Sequence, residues 1–217
     1  MTYPLDQRNQ ADGLSLLRAT TDEYTPLVIF DPQYRQVLDK LAFGNEGERQ
    51  KGRAQLAQMS PADITAFGIE IARILKPNGY VALWCDKLVA FSGTIPQYFG
   101  GALALKDVLT WDKGKIGMGY RTRRRAEYIA FLQKPPGTTK SWKRQPMIPD
   151  VVAEKITDRR HTHQKPSGLH RALIEALTEP GDVIVNPCAG SFAVMDTALA
   201  CGRHFLGCDI STVRKVP

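Results

Sequence analysis

The chain has 217 residues, 43% hydrophobic and 24% charged, which suits one globular domain with a full-sized core. No apolar run approaches the roughly 20 residues of a bilayer span, and MTYPLDQRNQADG has no basic start before an apolar stretch. A cytoplasmic protein with neither membrane anchor nor secretory leader is therefore expected. Four cysteines, Cys85, Cys188, Cys201 and Cys208, form no CxxC pair; they read as reduced thiols, which excludes a zinc site and a disulfide scaffold. The formal charge of +7 is unevenly spread: residues 106–165 hold 15 Lys/Arg against 6 Asp/Glu, and the rest of the chain is slightly acidic. A surface facing a polyanion requires such concentration; the alternative is a solvated basic face.

In chain order, Pro26–Phe30 (PLVIF) is a buried strand stopped at Asp31-Pro32. Residues 35–60 are polar and charged, the composition of a flap. Ser60 then caps a helix with Pro61 at its first position, and Ile64, Phe67, Ile71, Ile74 and Leu75 fall at helical spacing before Pro77-Asn78-Gly79. Tyr80–Cys85 is the next strand, and Lys87–Phe99 a helix interrupted near Pro96. Val108–Trp111 and Glu127–Leu132 are two strands paired across a basic turn. Residues 135–160, rich in Pro, Lys and Arg, are the one linker-like stretch. Ser167–Leu177 is a helix, Asp182–Val185 a strand, Phe192–Ala200 a helix, and His204–Cys208 a last strand ending at Asp209. Alternating strands and helices predict an α/β fold with a mostly parallel, doubly wound sheet.

Ligands of open parallel sheets bind beyond the carboxyl ends of the strands, and three such ends carry unusual residues. In Asp31-Pro32-Gln33-Tyr34, the Asp31 carboxylate and the Pro32 carbonyl each accept one N–H of an aromatic amine while Tyr34 stacks on its ring. Asp-Pro also simply begins turns. Asn186-Pro187-Cys188-Ala189-Gly190-Ser191 is a glycine turn between strand and helix, where backbone N–H groups face a ligand. Asp209 follows that glycine turn at about the spacing of a ribose-binding acid.

Together these segments resemble the amino-methylating DNA methyltransferases, over about Ala11 to Ile210. Asp31-Pro32-Gln33-Tyr34 is similar to the family's catalytic D-P-P-Y motif. His161-Thr162-His163-Gln164-Lys165-Pro166 resembles H-x-x-Q-K-P, which precedes the helix beside the methionine part of the cofactor. Asn186–Ser191 resembles D-P-F-x-G-S, Phe205–Asp209 the strand with the ribose-binding acid, and Ala11–Leu17 the G-D-x-L-x-L-L segment. The resemblance implies a Rossmann-like, S-adenosyl-L-methionine-dependent fold with helices on both faces of the sheet. The catalytic motif precedes the cofactor loop, the order of the circularly permuted β group. By the same resemblance, Asp31, Pro32 and Tyr34 are catalytic. Asp12, Asp31, His161, Lys165, Pro166, Asn186, Pro187, Cys188, Gly190, Ser191 and Asp209 bind the cofactor. Double-stranded DNA is the implied partner, a homodimer is possible, and a bacterial or phage-infected cell is the implied setting. Three departures stand out: Gln33 for proline, Asn186 for aspartate, and Phe192 for a small residue.

The reaction implied is direct methyl transfer to N6 of a flipped-out adenine. N4 of cytosine is the alternative, and a catalytically inactive DNA-binding relative or an enzyme acting on RNA or a protein amide are others. Lys113, Lys115, Arg121, Arg123, Arg124 and Arg125 are candidates for phosphates. Trp142, beside Lys143 and Arg144, is either a base-stacking residue or a core tryptophan. Only the 26 residues Pro135–Arg160 occupy the place of a target-recognition region. Few base-edge contacts fit in it, each worth roughly 1–3 kcal/mol of discrimination, so a very short or relaxed recognition sequence is expected, as a phage or mobile-element enzyme would have.

Overall fold

A computed structural model describes residues 3–34, 58–117, 121–143, 145–157 and 164–210. Among these, eight strands form one sheet: β1 Asn9–Gln10, β2 Thr25–Phe30, β3 Leu75–Cys85, β4 Ala104–Asp112, β5 Ala126–Gln133, β6 Val151–Ala153, β7 Val183–Asn186 and β8 His204–Asp209. Their order across the sheet is β1-β8-β7-β2-β3-β5-β4-β6. Only β5 runs against its neighbours, pairing antiparallel with β3 and β4; every other pairing is parallel. The anticipated mostly parallel α/β sheet is what forms, including the β4–β5 pair.

The helices are α1 Gly13–Ala19, α2 Pro61–Ile74, α3 Lys87–Ala90, α4 Ser167–Leu177 and α5 Ala193–Ala200. They cover both faces, because β2 and β3 are apolar at successive positions and so bury both sides. Val28, Phe30, Val81 and Leu83 pack under α1 and α2, with Leu16, Leu17, Ile64, Phe67 and Ile71. Leu27, Ile29, Ala82 and Trp84 face α4 and α5, with Leu169, Leu173, Ile174 and Val194. Each fully buried Leu, Ile or Val contributes about 1.5–3 kcal/mol of transfer free energy.

The cap of α2 follows the sequence closely. The Ser60 hydroxyl accepts the Asp63 N–H at 3.2 Å and the Asp63 carboxylate accepts the Ser60 N–H at 2.7 Å, a full capping box. The helix stops at Ile74, earlier than Pro77-Asn78-Gly79 suggested, and β3 starts at Leu75. Pro77 bars Lys76 from helical geometry, and the Lys134 ammonium donates to the Leu75 carbonyl at 2.7 Å. The anticipated helix over Lys87–Phe99 is instead α3, a break at Ser92-Gly93-Thr94, and a 3-10 turn over Ile95–Phe99. Gly93 takes a left-handed φ of 73° there, which ends the helix. The two-residue β1 and the three-residue β6 carry no readable periodicity and went unanticipated.

Candidate active site

Parallel neighbours β8, β7 and β2 end at one edge of the sheet, so Asp209, the loop Asn186–Ser191 and Asp31 meet over a single cavity of about 520 Å³. That volume lies within the roughly 300–1,000 Å³ usual for small-molecule sites. Asp12, Gly13, Phe67, Trp84, Lys165 and His170 complete much of its wall.

Each loop is fixed by its own residues. The Asn186 side-chain oxygen accepts the Cys188 N–H at 3.1 Å, so asparagine makes the turn an aspartate would make. Gly190 sits at φ +52° and donates its N–H to Asp209 Oδ2 at 2.9 Å. Asp12 caps α1, accepting the Ser15 N–H at 2.8 Å. At Gly13 a Cβ would collide with the Pro187 carbonyl oxygen and the Phe67 ring, so only glycine lets α1 press against the cavity loop. Phe192 points away from the cavity. Fully buried at a left-handed φ of 60°, it packs edge-on against Phe205 with ring centres 6.2 Å apart. The pocket wall therefore owes nothing to its bulk.

The catalytic-motif turn differs in one respect from the expectation. Asp31 and Gln33 line the cavity, but Tyr34 is buried in the core beneath α2, 8% exposed, with its hydroxyl unbonded. It does not present an open stacking face. The Pro32 carbonyl already accepts the Tyr34 N–H at 3.0 Å, leaving its second lone pair for another donor. A β-bridge between Tyr34 and Met59 ties this turn to the start of α2. Residues 35–57 of the anticipated flap lie outside the described residues, as do His161 and Arg144.

Lys165 is the electrostatic hub. Its ammonium lies 3.0 Å from Asp31 Oδ2, 3.0 Å from Glu127 Oε2 and 4.9 Å from the centre of the Trp84 ring. Lys113 approaches the other Glu127 oxygen at 3.3 Å. Burial works to lower the Lys165 pKa, but the two carboxylates outweigh it and hold the ammonium above its ordinary value. Burial pushes the Glu127 carboxyl up, yet Lys165 and Lys113 win and hold it at about 2. Glu127 escaped the sequence reading. The signal was there: it is the one acid between the arginine run and an apolar strand.

The lysine of H-x-x-Q-K-P is placed by a second unanticipated acid. Buried Pro166 opens α4 without a side-chain cap. The Glu154 carboxylate, just past β6, accepts the Gly168 and Leu169 N–H groups at 2.9 and 2.8 Å and supplies that cap instead.

The expected DNA-facing residues divide into three groups. Arg121 and Arg123 are exposed, and Arg124 is half-buried, in the β4–β5 connection with exposed Lys115. Arg125 is exposed but engages Asp112 with two bonds of 2.7 and 2.6 Å. Lys113 is turned inward to Glu127, so a charge expected at the surface belongs to the buried network. Trp142 and Lys143 lie at the opposite end of the sheet. Trp142 packs edge-on against Tyr80 and Phe131, and Lys143 binds the Thr178 carbonyl at 2.8 Å and Glu179 at 2.8 Å beyond the end of α4. Of the two readings of Trp142, the packing residue is the one the geometry carries.

The thiols at the cavity end of the sheet are held in the protonated form, the weaker nucleophile. Burial pushes Cys85 and Cys208 up to about 12 and Cys188 upward as well. Among the described residues, no cluster of His, Cys, Asp or Glu is fit to hold a metal ion, and no helix is long and apolar enough to cross a membrane.

His170 stands against Trp84 with ring centres 5.8 Å apart, and both its nitrogens, like the Trp84 indole N–H, are buried without a hydrogen bond. Burial, assisted by the Lys165 charge, lowers its pKa to about 3. The unfolded chain, with histidine near 6.5, takes up a proton that the folded chain refuses. Stability present above pH 6.5 is thus lost as pH falls from about 6.5 towards 3, by on the order of 5 kcal/mol. Urea titrations of His170→Leu across this window should show a flatter pH dependence than the parent; parallel curves would mean that His170 is protonated in the folded state.

Comparison with known proteins agrees with this geometry. A family profile described as a DNA methylase, of the N6/N4 type, matches residues 26–215. The type II methyltransferase M.HhaII of Haemophilus parahaemolyticus is 44% identical over 208 residues, 95% of this chain and 91% of its own. Among solved structures, the cytosine-N4-specific PvuII DNA methyltransferase superposes with a TM-score of 0.73 at 16% identity, covering 97% of this chain and 83% of that one. The M1.HpyAVI–SAM complex gives 0.65 at 18%, covering 95% and 94%. The structural matches speak for the fold alone, but the profile and the 44% relative span the strand ends that build the cavity, and the chain belongs to the N6/N4 family of DNA methylases.

Proposed function

We propose that this protein is an S-adenosyl-L-methionine-dependent methyltransferase that modifies N6 of an adenine flipped out of double-stranded DNA, on a circularly permuted version of the fold. The observation that carries this reading is Asp31 at the end of β2, facing one cavity with the glycine loop and Asp209. S-adenosyl-L-methionine, when bound, supplies an activated sulfonium methyl group. A solved neighbour, M1.HpyAVI, is described as a complex with it. The donor set fits: Asp209 and Asp12 present carboxylates for hydroxyl and amine groups, and Trp84 and Phe67 add aromatic surface to the wall. Gly190 leaves open space where a side chain would stand.

Asp31 and the second lone pair of the Pro32 carbonyl accept the two N–H bonds of the target amine. This draws its lone pair out of ring conjugation and aims it into the cavity. The Lys165 ammonium, 3.0 Å from Asp31 Oδ2, holds that carboxylate in place. Tyr34 meets the target base only after its ring leaves the core position it occupies here. Adenine is favoured because the serine-free D-P-x-Y form leans to adenine in the family. The DNA adenine methyltransferase YhdJ of Escherichia coli is also 35% identical over 80 residues, 37% of this chain and 25% of its own.

Specificity is expected to be short or relaxed. Within Pro135–Arg160, Trp142 and Lys143 are committed to packing far from the cavity. Fewer side chains then remain for base edges than the length alone allows. Incubation of unmodified DNA with isotope-labelled S-adenosylmethionine, digestion and mass spectrometry should yield labelled N6-methyladenine. Labelled N4-methylcytosine would assign the alternative substrate, and no labelled nucleoside would overturn the reading. Sequencing of the modified sites should show fewer than four fixed bases; one longer invariant motif would remove the argument from the short segment.

A further inference from the structure

One surface feature is not used by the chemistry above. Just past β3, α3 carries Leu88 and ends at its C-cap residue Phe91, 62% and 77% exposed. Spaced i and i+3, they share one face of the helix. Single exposed apolar side chains are ordinary, but an aromatic and a leucine side by side on a rigid mount are not. The mount is rigid for three reasons. The Asp86 carboxylate accepts the Leu88 and Val89 N–H groups at 2.9 and 3.0 Å. The Lys87 ammonium donates to the Thr122 hydroxyl at 2.7 Å, tying α3 to the basic β4–β5 connection. The Phe91 ring stands edge-on to Tyr128, with ring centres 5.6 Å apart.

Position matters as much as exposure. Tyr128 pairs in register with Cys85, the last residue of β3, next to the strand that delivers Asp31. The apolar tip therefore lies at the catalytic end of the sheet, on an element that Lys87 ties to the connection holding exposed Arg121 and Arg123. The geometry points to Phe91 as a wedge that enters the DNA base stack where the target base leaves it. Duplex DNA suits this surface because it combines a shell of phosphates for the cations with an apolar stack for the ring. A second copy of the chain suits it poorly: two-fold packing through this face would bring two arginine-rich connections together. Flipping leaves a gap, and a planar side chain that fills it offsets part of the unstacking cost. This inference rests on the reading of the protein as an enzyme of double-stranded DNA.

Its test uses the full chain and two duplexes built around a site mapped by sequencing. One is fully paired; the other has an abasic position opposite the target, so that the base leaves the stack more easily. Phe91→Ala should lower kcat/KM on the paired duplex by roughly tenfold or more, the scale of a lost base–aromatic stack. On the abasic duplex its deficit should largely disappear, and Phe91→Trp should retain activity on both. At 77% exposure the truncation should leave Tm unchanged, which separates a wedge from a packing residue. Equal deficits on the two duplexes, or none on either, overturn the wedge while leaving the proposed function standing. Sedimentation showing that Phe91→Ala splits a dimer would assign the surface to a second copy instead. Should the unaltered enzyme label no DNA, the functional reading falls and the wedge falls with it.

Discussion

Asp31→Ala should lower kcat by roughly 10²–10³-fold or more, the effect of removing one preorganised electrostatic group from a site where charge develops, while calorimetric affinity for S-adenosylmethionine changes by less than about threefold. The split follows from position. Asp31 lies at the β2 end of the cavity, whereas Asp209 and Gly190, bonded to each other, and Asp12, the cap of α1, hold the β8 end. A methylated amine needs two acceptors, and the chain offers a carboxylate and a carbonyl one residue apart. Truncating the carboxylate leaves a single acceptor and leaves the amine lone pair delocalised into the ring. Asp31→Asn is the sharper variant. It keeps the shape, but with its one oxygen turned to Lys165, 3.0 Å away, it presents an NH2 donor where the target amine needs an acceptor. Activity should fall nearly as far as in Asp31→Ala. Parent-like activity in Asp31→Asn would show that Asp31 acts by shape, and a parallel loss of cofactor affinity would move it to the cofactor side of the cavity.

The contrast between Asp31 and Glu127 explains what was legible in the sequence. Asp31, Asn186–Ser191 and Asp209 each stand at the end of an apolar run, so local pattern locates them, and parallel pairing brings them to one edge without further information. Helix α4 and strand β7 are legible for the same reason: Pro166 and Pro180-Gly181 punctuate them, and the periodicity between is strong. Glu127, in contrast, acquires its meaning from the register of β5 against β3 and from Lys165, 38 residues away. Neither is encoded in any window of sequence. Lys113 turns to Glu127 for a reason of the same kind, since charge density within a segment does not say where a side chain points. Glu154 is a third case: a helix start without a local cap borrows one from a residue just past β6, 14 positions earlier. Trp142 shows the complementary difficulty. Adjacency to Lys143 and Arg144 suggests nucleic acid, but apolar Tyr80 and Phe131 are what it finds.

The buried network also predicts the largest effect on folding, at Lys165. Two carboxylates, Asp31 and Glu127, approach the same ammonium from opposite strands, with side-chain exposures of 32% and 31% against 16% for Lys165. Lys165→Met keeps much of the aliphatic stem against Trp84 but removes the ammonium that the two acids share, while Lys113 stays on Glu127. Breaking a buried pair from one side costs about 3–5 kcal/mol, and the partial exposure of both acids places this case near the lower figure. For a chain of this size that is a fall in Tm of roughly 6–12 °C. The pH dependence should change sign of slope locally. In the parent, Glu127 titrates near 2 and so contributes stability that is lost only as pH falls from about 4.5 to about 2. In Lys165→Met the two acids repel, so mild acidification towards their ordinary range should stabilise the variant. Lys165→Met/Glu127→Gln should recover much of the lost Tm, because the second change removes one of the stranded charges. It should not recover activity, since the Lys165 ammonium that faces Asp31 is still missing. A Tm for Lys165→Met within about 1 °C of the parent would mean that the ion network does not hold in solution, whereas recovery of activity in the double variant would reduce Lys165 to a counter-charge for Glu127.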